Sequence, residues 1–276
     1  MTTPLLLALG ASLAWGVADF VGPLLARVEG TLRVLFWAQI GGVLAIALAV
    51  LIRGEGPAGP EVLFAILASL GGMLGLFAYY RGIEVGAMSV VAPIAGVSAI
   101  IPVIFGIATG DDPSAPQVAG IACALAGVGL ASIEHHEGTR RIATGVGLAL
   151  LAALGFGFYF PWMHAAGKVD FWWASLVFRT TALVLLAVVV AARHTNLRLS
   201  RRNLAIAAAV GIGDTLGNVF FAASSSHGLI SLTAVLASLY PVVTVLLAAS
   251  VLHEKVAPTQ KAGIVLTLTG VVLISL

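Results

Sequence analysis

Charged residues are scarce in this chain. Lysine, arginine, aspartate and glutamate together make up 9% of its 276 residues, against about 25% in soluble domains. Hydrophobic residues make up 60%, and the mean hydropathy is +1.08. A water-soluble protein of this length needs more charge to cover its surface. The composition therefore excludes an ordinary soluble enzyme and a disordered chain, and the net charge of only +2 predicts no nucleic-acid partner.

The chain has a single cysteine, Cys123, which excludes a disulfide framework and a cysteine-based metal cluster. Two histidines, His135 and His136, stand between Glu134 and Glu137, but their spacing matches no zinc motif and is typical of a solvated loop. The sequence also lacks a phosphate-binding GxxxxGK motif and any order of residues that suggests a catalytic triad. We therefore expect no cofactor, no metal and no enzyme activity, and the chain alone is no ATP-driven pump.

Long apolar stretches fill most of the chain, and a spanning helix needs about 20 mostly apolar residues. Glycine and proline are abundant, at 32 and 11 residues, which membrane helices tolerate because their neighbours satisfy the freed backbone groups. The predicted spans are 4–26, 31–52, 60–81, 87–108, 115–133, 142–164, 170–192, 203–223, 229–250 and 258–275. The sequence therefore predicts an all-α polytopic membrane protein with ten transmembrane helices.

The longest polar stretch, 134–141, is the predicted midpoint linker between a first five-helix repeat, 1–133, and a second, 142–276. Basic residues in loops set the orientation of membrane proteins. The odd-numbered loops hold 11 of them and the even-numbered loops only 2, Arg53 and Lys168. The bias predicts cytoplasmic odd loops and two outward, periplasmic termini in the inner membrane.

An internal repeat relates the two halves at an offset of 142 residues, which grows by one near the end of each half. The pairs that match are Gly71 with Gly213, Gly75 with Gly217, Gly86 with Gly228, Ser89 with Ser231, Ala92 with Ala234, Gln117 with Gln260, Gly120 with Gly263 and Gly127 with Gly270. Because each half has an odd number of spans, the copies would be inverted. Inverted repeats are typical of secondary transporters that bind solutes near the midplane.

The last helix of each half carries a pattern that resembles the EamA-type signature: an acid in the loop, then glutamine, glycine and a Gly-Val pair. The matching residues are Glu254, Gln260, Gly263, Gly270 and Val271 in the second half, and Asp112, Gln117, Gly120, Gly127 and Val128 in the first. Arg179 matches an arginine common in the second helix of each half, which the first half lacks. The resemblance implies the drug/metabolite transporter superfamily, with ten helices around a central cavity and export of small metabolites. Within it, the YddG-like exporters of aromatic amino acids are the nearest match.

Three charged residues, Asp19, Arg179 and Asp214, lie well inside predicted spans and away from their ends. A charge at the centre of a membrane helix costs about 2.5–3.5 kcal/mol on insertion scales. Asp214 is four residues from Asn218 and Asp19 is four residues from Trp15, so each pair shares a helix face. Either these faces line a cavity, or Arg179 and Asp214 form a structural ion pair that holds spans seven and eight together. Asp19 lies nearer a membrane end, where access or gating is an alternative to binding.

Aromatic residues divide into two sets. We expect Trp37, Trp172 and Trp173 to be interfacial anchors. The second set is expected to bind the apolar part of a solute, and core packing is its alternative role. It comprises Trp15, Tyr79, Tyr159, Phe160, Trp162 and Tyr240, with Ser98 as the repeat mate of Tyr240.

Two residue types indicate helix shape. Gly71, Gly75, Gly213 and Gly217 form GxxxG pairs that allow close helix approach. Pro93, Pro102, Pro161 and Pro241 remove helix hydrogen bonds and can act as hinges or fixed bends.

The sequence thus favours a secondary transporter that exports amino acids or similar metabolites by alternating access. Its partners would be a small-molecule solute and the lipid bilayer, and the chain would be a monomer or a homodimer. A multidrug exporter of lipophilic cations is the alternative within transport. A receptor or a membrane enzyme is the alternative outside it.

Overall fold

The computed structural model describes residues 2–85, 91, 94–131, 139–251, 258–274 and 276. Within these ranges the chain is helical and has no strand. Pro93, the histidines of the midpoint linker, the acid Glu254 and the repeat residues Gly86, Ser89 and Ala92 lie outside the described residues. The helices are α1 (Thr2–Glu29), α2 (Thr31–Arg53), α3 (Phe64–Val85), α4 (Ile100–Ala108), α5 (Ala115–Ala131), α6 (139–169), α7 (171–192), α8 (Arg201–His227), α9 (Ile230–Ala237), α10 (Tyr240–Val251) and α11 (Pro258–Ile274).

Five helical segments of the described chain are long and apolar enough to cross a membrane: Thr3–Glu29, Thr31–Arg53, Pro60–Val85, Gly145–Ala192 and Arg201–His227. The segment Gly145–Ala192 has 48 residues and contains two predicted spans. Apolar side chains cover the outer faces, and on α2 Leu44, Leu48, Leu51 and Ile52 are between 59% and 77% exposed. The prediction of an all-α, multi-pass membrane protein is confirmed, and the count of ten helices stays a prediction.

Turn residues end the first two helices. Gly30 has φ 88° and Gly54 has φ 70°, a backbone region that favours glycine because it has no Cβ. The Gly54 N–H donates to Val50 O and closes α2. At the other end of a helix, Ser200 is the N-cap of α8, since its hydroxyl accepts from Asn203 N at 3.1 Å.

Helices α6 and α7 form one continuous stretch that bends at a single residue, Asp170, whose φ of −160° and ψ of 101° are extended. Its Oδ1 accepts the N–H groups of Trp172 at 3.1 Å and Trp173 at 3.2 Å, and thereby caps α7. Arg53 donates to both carboxylate oxygens, at 2.7 and 2.8 Å. The bend therefore replaces the loop predicted between spans six and seven.

The ninth predicted span is two helices, α9 and α10, separated at Ser238 and Leu239. Pro241 explains the break, because it has no N–H to donate to the carbonyl of Ala237. Pro161 and Pro23, in contrast, lie inside continuous helices.

Glycines mediate the closest helix contacts, and the contacts exchange between the two repeats. A Cβ added at Gly120 would lie 2.9 Å from Gly270 O, and one added at Gly127 would lie 2.8 Å from Gly263 O. Gly120 and Gly263 are one repeat pair, and Gly127 and Gly270 are the other. Each contact joins one glycine from each pair, so the repeat relates the first contact to the second. The same exchange relates Gly75, which meets Phe156 on α6, to Gly217, which meets Trp15 on α1.

Among the described residues, the hydrogen bonds between loops join odd-numbered loops to odd-numbered ones and even-numbered loops to even-numbered ones. At the odd-loop end, Asn203 Nδ2 donates to Glu29 Oε1 at 2.6 Å, and Arg33 Nε donates to Asn196 O at 2.8 Å. At the even-loop end, Arg53 binds Asp170 as described above, and Trp173 Nε1 donates to Glu55 O at 2.9 Å. At both ends of the molecule, hydrogen bonds therefore join the first half of the chain to the second half.

Candidate functional site

A cavity lies where helices of both halves converge, with about 60 Å³ of space for the centres of water-sized molecules. It is lined by Trp15 and Asp19 of α1, Gln39 of α2, Gly72, Met73 and Leu76 of α3, Phe156, Tyr159 and Phe160 of α6, Phe178 and Arg179 of α7, Asp214 of α8 and Tyr240 of α10. Most of the wall is apolar, and the charged groups are confined to α1, α7 and α8.

Arg179 is fully buried and is the centre of the polar wall. Its Nη2 donates to Asp214 Oδ2 at 2.5 Å, and its Nη1 donates to Gln39 Oε1 at 3.0 Å. The Phe178 ring lies 5.5 Å from the guanidinium carbon. Gln39 in turn donates to the Met73 sulfur at 3.4 Å. The guanidinium is therefore held in place from three helices.

Asp19 lies on the same cavity without such a partner. Its side chain lines the wall, it is 7% exposed, and no hydrogen bond or ion pair joins it to any of the described residues. Arg179 is paired with Asp214, so Asp19 is the carboxyl group on this wall that no cation among the described residues pairs with.

Aromatic rings form the rest of the wall. Trp15 makes edge contacts with Tyr159 and Phe160, at ring-centroid distances of 6.0 and 6.1 Å. Tyr240 makes an edge contact with Phe156 at 6.5 Å. Such pairs contribute about 0.5–1.5 kcal/mol beyond area burial, so the rings form a pre-organised wall rather than a loose one.

Six of the ten residues proposed from the sequence as a binding site line this cavity: Trp15, Asp19, Tyr159, Phe160, Asp214 and Tyr240. Three others are buried behind it. Asn218 accepts from the Tyr159 hydroxyl at 2.8 Å, Tyr79 packs on Phe156, and Ser98 is 1% exposed. Trp162 lies away from the cavity, against Phe64 and Phe158, which are both exposed.

Phe156 also lines the cavity, one turn before Tyr159 and Phe160 on the same face of α6. Sequence reasoning missed five further cavity residues: Gln39, Phe178, Met73, Leu76 and Gly72. Gln39 had a detectable signal, because it is a polar residue inside the apolar span 31–52. The other four are apolar residues or glycine in apolar helices, and nothing in their local sequence separates a cavity wall from a lipid face.

Comparison with known proteins decides the family. The sequence profile of the EamA-like transporter family matches residues 2–133 and 143–276. The chain belongs to the EamA-like transporter family. This confirms the resemblance to the EamA-type signature, with two family repeats in one chain, and makes the chain a multi-pass membrane transporter. The YddG-like subfamily stays a prediction.

A solved crystal structure has the same fold. It superposes with a TM-score of 0.77 over 99% of this chain and 96% of its own, at 18% sequence identity. At that identity the similarity concerns the fold alone. None of the curated proteins matches the chain.

Proposed function

We propose that this EamA-like chain is a secondary transporter that exports small amphipathic metabolites, first among them amino acids with aromatic or other apolar side chains, as the YddG-like exporters do. The observation that carries the proposal is the composition of the cavity wall. Rings of Trp15, Phe156 and Tyr240 suit a flat apolar body, whereas the wall with Asp19 and Gln39 suits one polar end. A phosphate or a polyol would leave many polar groups unpaired against these rings.

We also propose that the two five-helix repeats, 1–133 and 142–276, are inverted and transport by alternating access. The exchanged contacts of Gly120 with Gly270 and of Gly127 with Gly263 support this proposal, because a two-fold axis between the halves would relate each contact to the other. The cavity between the halves is where such transporters bind their solutes.

The test is counterflow in liposomes that contain the purified protein. Vesicles loaded in turn with each of the amino acids should exchange with external labelled solute, and apolar and aromatic ones should exchange fastest. Empty vesicles are the control. Exchange no faster than in empty vesicles would instead support a receptor or a membrane enzyme.

A lipophilic cation is the second candidate solute. The rings of Trp15, Tyr159 and Phe160 favour it, since a cation over an aromatic face gains about 0.5–2 kcal/mol. Labelled lipophilic cation in the same counterflow assay compares the two candidates directly.

Both termini are expected to face the periplasm, because basic residues number 11 in the odd loops and 2 in the even loops. A C-terminal reporter that is active only in the cytoplasm should therefore be silent in intact cells. The same reporter fused within the midpoint linker, 134–141, is the positive control. A strong signal from the C-terminal fusion would contradict this orientation.

Transport of a zwitterionic amino acid is expected to be independent of an imposed pH gradient. Few carboxylates are available on the cavity wall for proton coupling: Asp214 is paired with Arg179, and Asp19 is the other one. Flux into liposomes with and without the gradient measures the coupling. Uphill accumulation that Asp19→Asn abolishes and Arg179→Lys retains would reverse this prediction and identify Asp19 as the proton site.

A further inference from the structure

The carboxylate of Asp19 is buried without a partner. It is 7% exposed, it lines the cavity, and no donor among the described residues satisfies it. Removing a carboxylate from water is costly unless a charge or hydrogen bonds compensate for it. Membrane-embedded acids of this kind mark substrate, ion and proton pathways, and a cationic group of a solute would supply the missing partner.

Arg179 does not supply that compensation in this arrangement. Its Nη1 and Nη2 donate to Gln39 and Asp214, and its Nε has no hydrogen-bond partner but is buried away from the cavity space. A solute carboxylate would therefore meet a cation that is already paired with Asp214, whereas a solute ammonium would meet Asp19.

The aromatic rings around Asp19 favour a solute whose body, beyond the ammonium group, is apolar. Trp15 lies one helical turn before Asp19 on the same face of α1 and makes edge contacts with Tyr159. An ammonium at Asp19 therefore places its attached carbon chain against aromatic faces.

We propose that the cavity recognises a solute by its ammonium group, which pairs with Asp19, and that a free carboxylate on the solute weakens binding. The substrate class is then a monovalent primary amine with an aromatic or apolar body, and an amino acid binds as the weaker relative that shares the ammonium. This inference rests on the proposed function and specifies the chemistry of the same cavity.

Four probes that share one ring and differ in charge test the proposal: phenethylamine, phenylalanine, N-acetylphenylalanine and phenethyl alcohol. Isothermal titration calorimetry on the purified protein in detergent measures their affinities. Phenethylamine is expected to bind at least about tenfold more tightly than phenylalanine. The anion and the alcohol are expected to bind at least about a hundredfold more weakly than the amine.

Asp19→Asn should reduce phenethylamine affinity to that of phenethyl alcohol. Glu61→Gln, which removes a carboxylate from an exposed position, should leave every affinity unchanged. The proposal is overturned if N-acetylphenylalanine or the alcohol matches the amine, or if Asp19→Asn binds the amine as the unaltered protein does. If Asp19→Asn does not fold, the four-probe series on the unaltered protein decides alone.

The binding and counterflow experiments distinguish a failure of the ammonium proposal from a failure of the proposed transport function. Counterflow of phenylalanine without a preference for the amine would contradict only the ammonium proposal. Tight amine binding without any flux in liposomes would contradict only the transport function.

Discussion

Arg179→Ala is expected to lower the free energy of unfolding by about 3–5 kcal/mol, the usual effect of removing one partner from a buried ion pair. Arg179 is fully buried and joins α7 to Asp214 on α8 and to Gln39 on α2. Its loss leaves the Asp214 carboxylate and the Gln39 carbonyl without their donor. Thermal unfolding of the purified protein in detergent measures the effect.

Two variants control for this result. Arg202→Ala removes an arginine from an exposed position at the start of α8 and should leave the melting temperature unchanged. Asp214→Asn should have a smaller effect than Arg179→Ala, because the amide oxygen still accepts a hydrogen bond from the guanidinium. A stable Arg179→Ala protein with normal transport would show that the pair has no structural role.

Gly211→Ala is expected to destabilise the protein by about 1–3 kcal/mol, the usual cost of overpacking, and to slow transport. A Cβ at this position would overlap the backbone of Ala38, so α2 and α8 would have to separate. Gln39 is the next residue on α2, and Asp214 is one turn further along α8. The separation would therefore displace both residues that hold Arg179.

Gly213→Ala is the matched control, two residues further along the same helix. Its Cβ would meet Ala14 O at 3.8 Å, an ordinary contact, and alanine is the better helix former by about 1 kcal/mol. Melting temperatures and counterflow rates should separate the two variants clearly. Equal behaviour of both would contradict the close contact between α2 and α8.

The sequence could predict helices and charged residues well, because hydropathy and charge are local properties of the chain. Asp19, Arg179 and Asp214 stood out as expensive residues in apolar spans, and the structure places all three on one cavity. The sequence could not predict the role of Asp170, because that role depends on Arg53 from a distant part of the chain. The hydrogen bonds of Asp170 make the expected loop a bend of one residue.

Helical periodicity alone could not decide the role of Trp162. Phe156, Tyr159 and Phe160 are three or four residues apart and share a face of α6, which is the cavity face. Trp162 is three residues beyond Tyr159 and four beyond Phe158, so it lies at the border between the cavity face and the outer face. Its contacts with Phe64 and Phe158 place it outside the cavity wall.

The glycines show where local sequence is insufficient. Gly213 and Gly217 were paired as a GxxxG motif, but the structure places Gly211 and Gly217 in close contacts and leaves Gly213 with room for a Cβ. A motif states that two small residues share a face. It does not state which partner helix that face meets.

The hydrogen bonds that join the two halves of the chain differ between the two ends of the molecule. This difference affects which conformation the transporter adopts without a solute. At the even-loop end Arg53 binds Asp170, a carboxylate that is 2% exposed, whereas at the odd-loop end Arg33 donates to the neutral carbonyl of Asn196. Under alternating access, two identical repeats would make the inward-open and outward-open states equally populated. If the contacts at the two ends differ by about 1.4 kcal/mol in free energy, the ratio of the inward-open to the outward-open population changes tenfold. The divergence between the two copies, rather than the cavity they share, would then decide which side of the membrane the empty carrier faces.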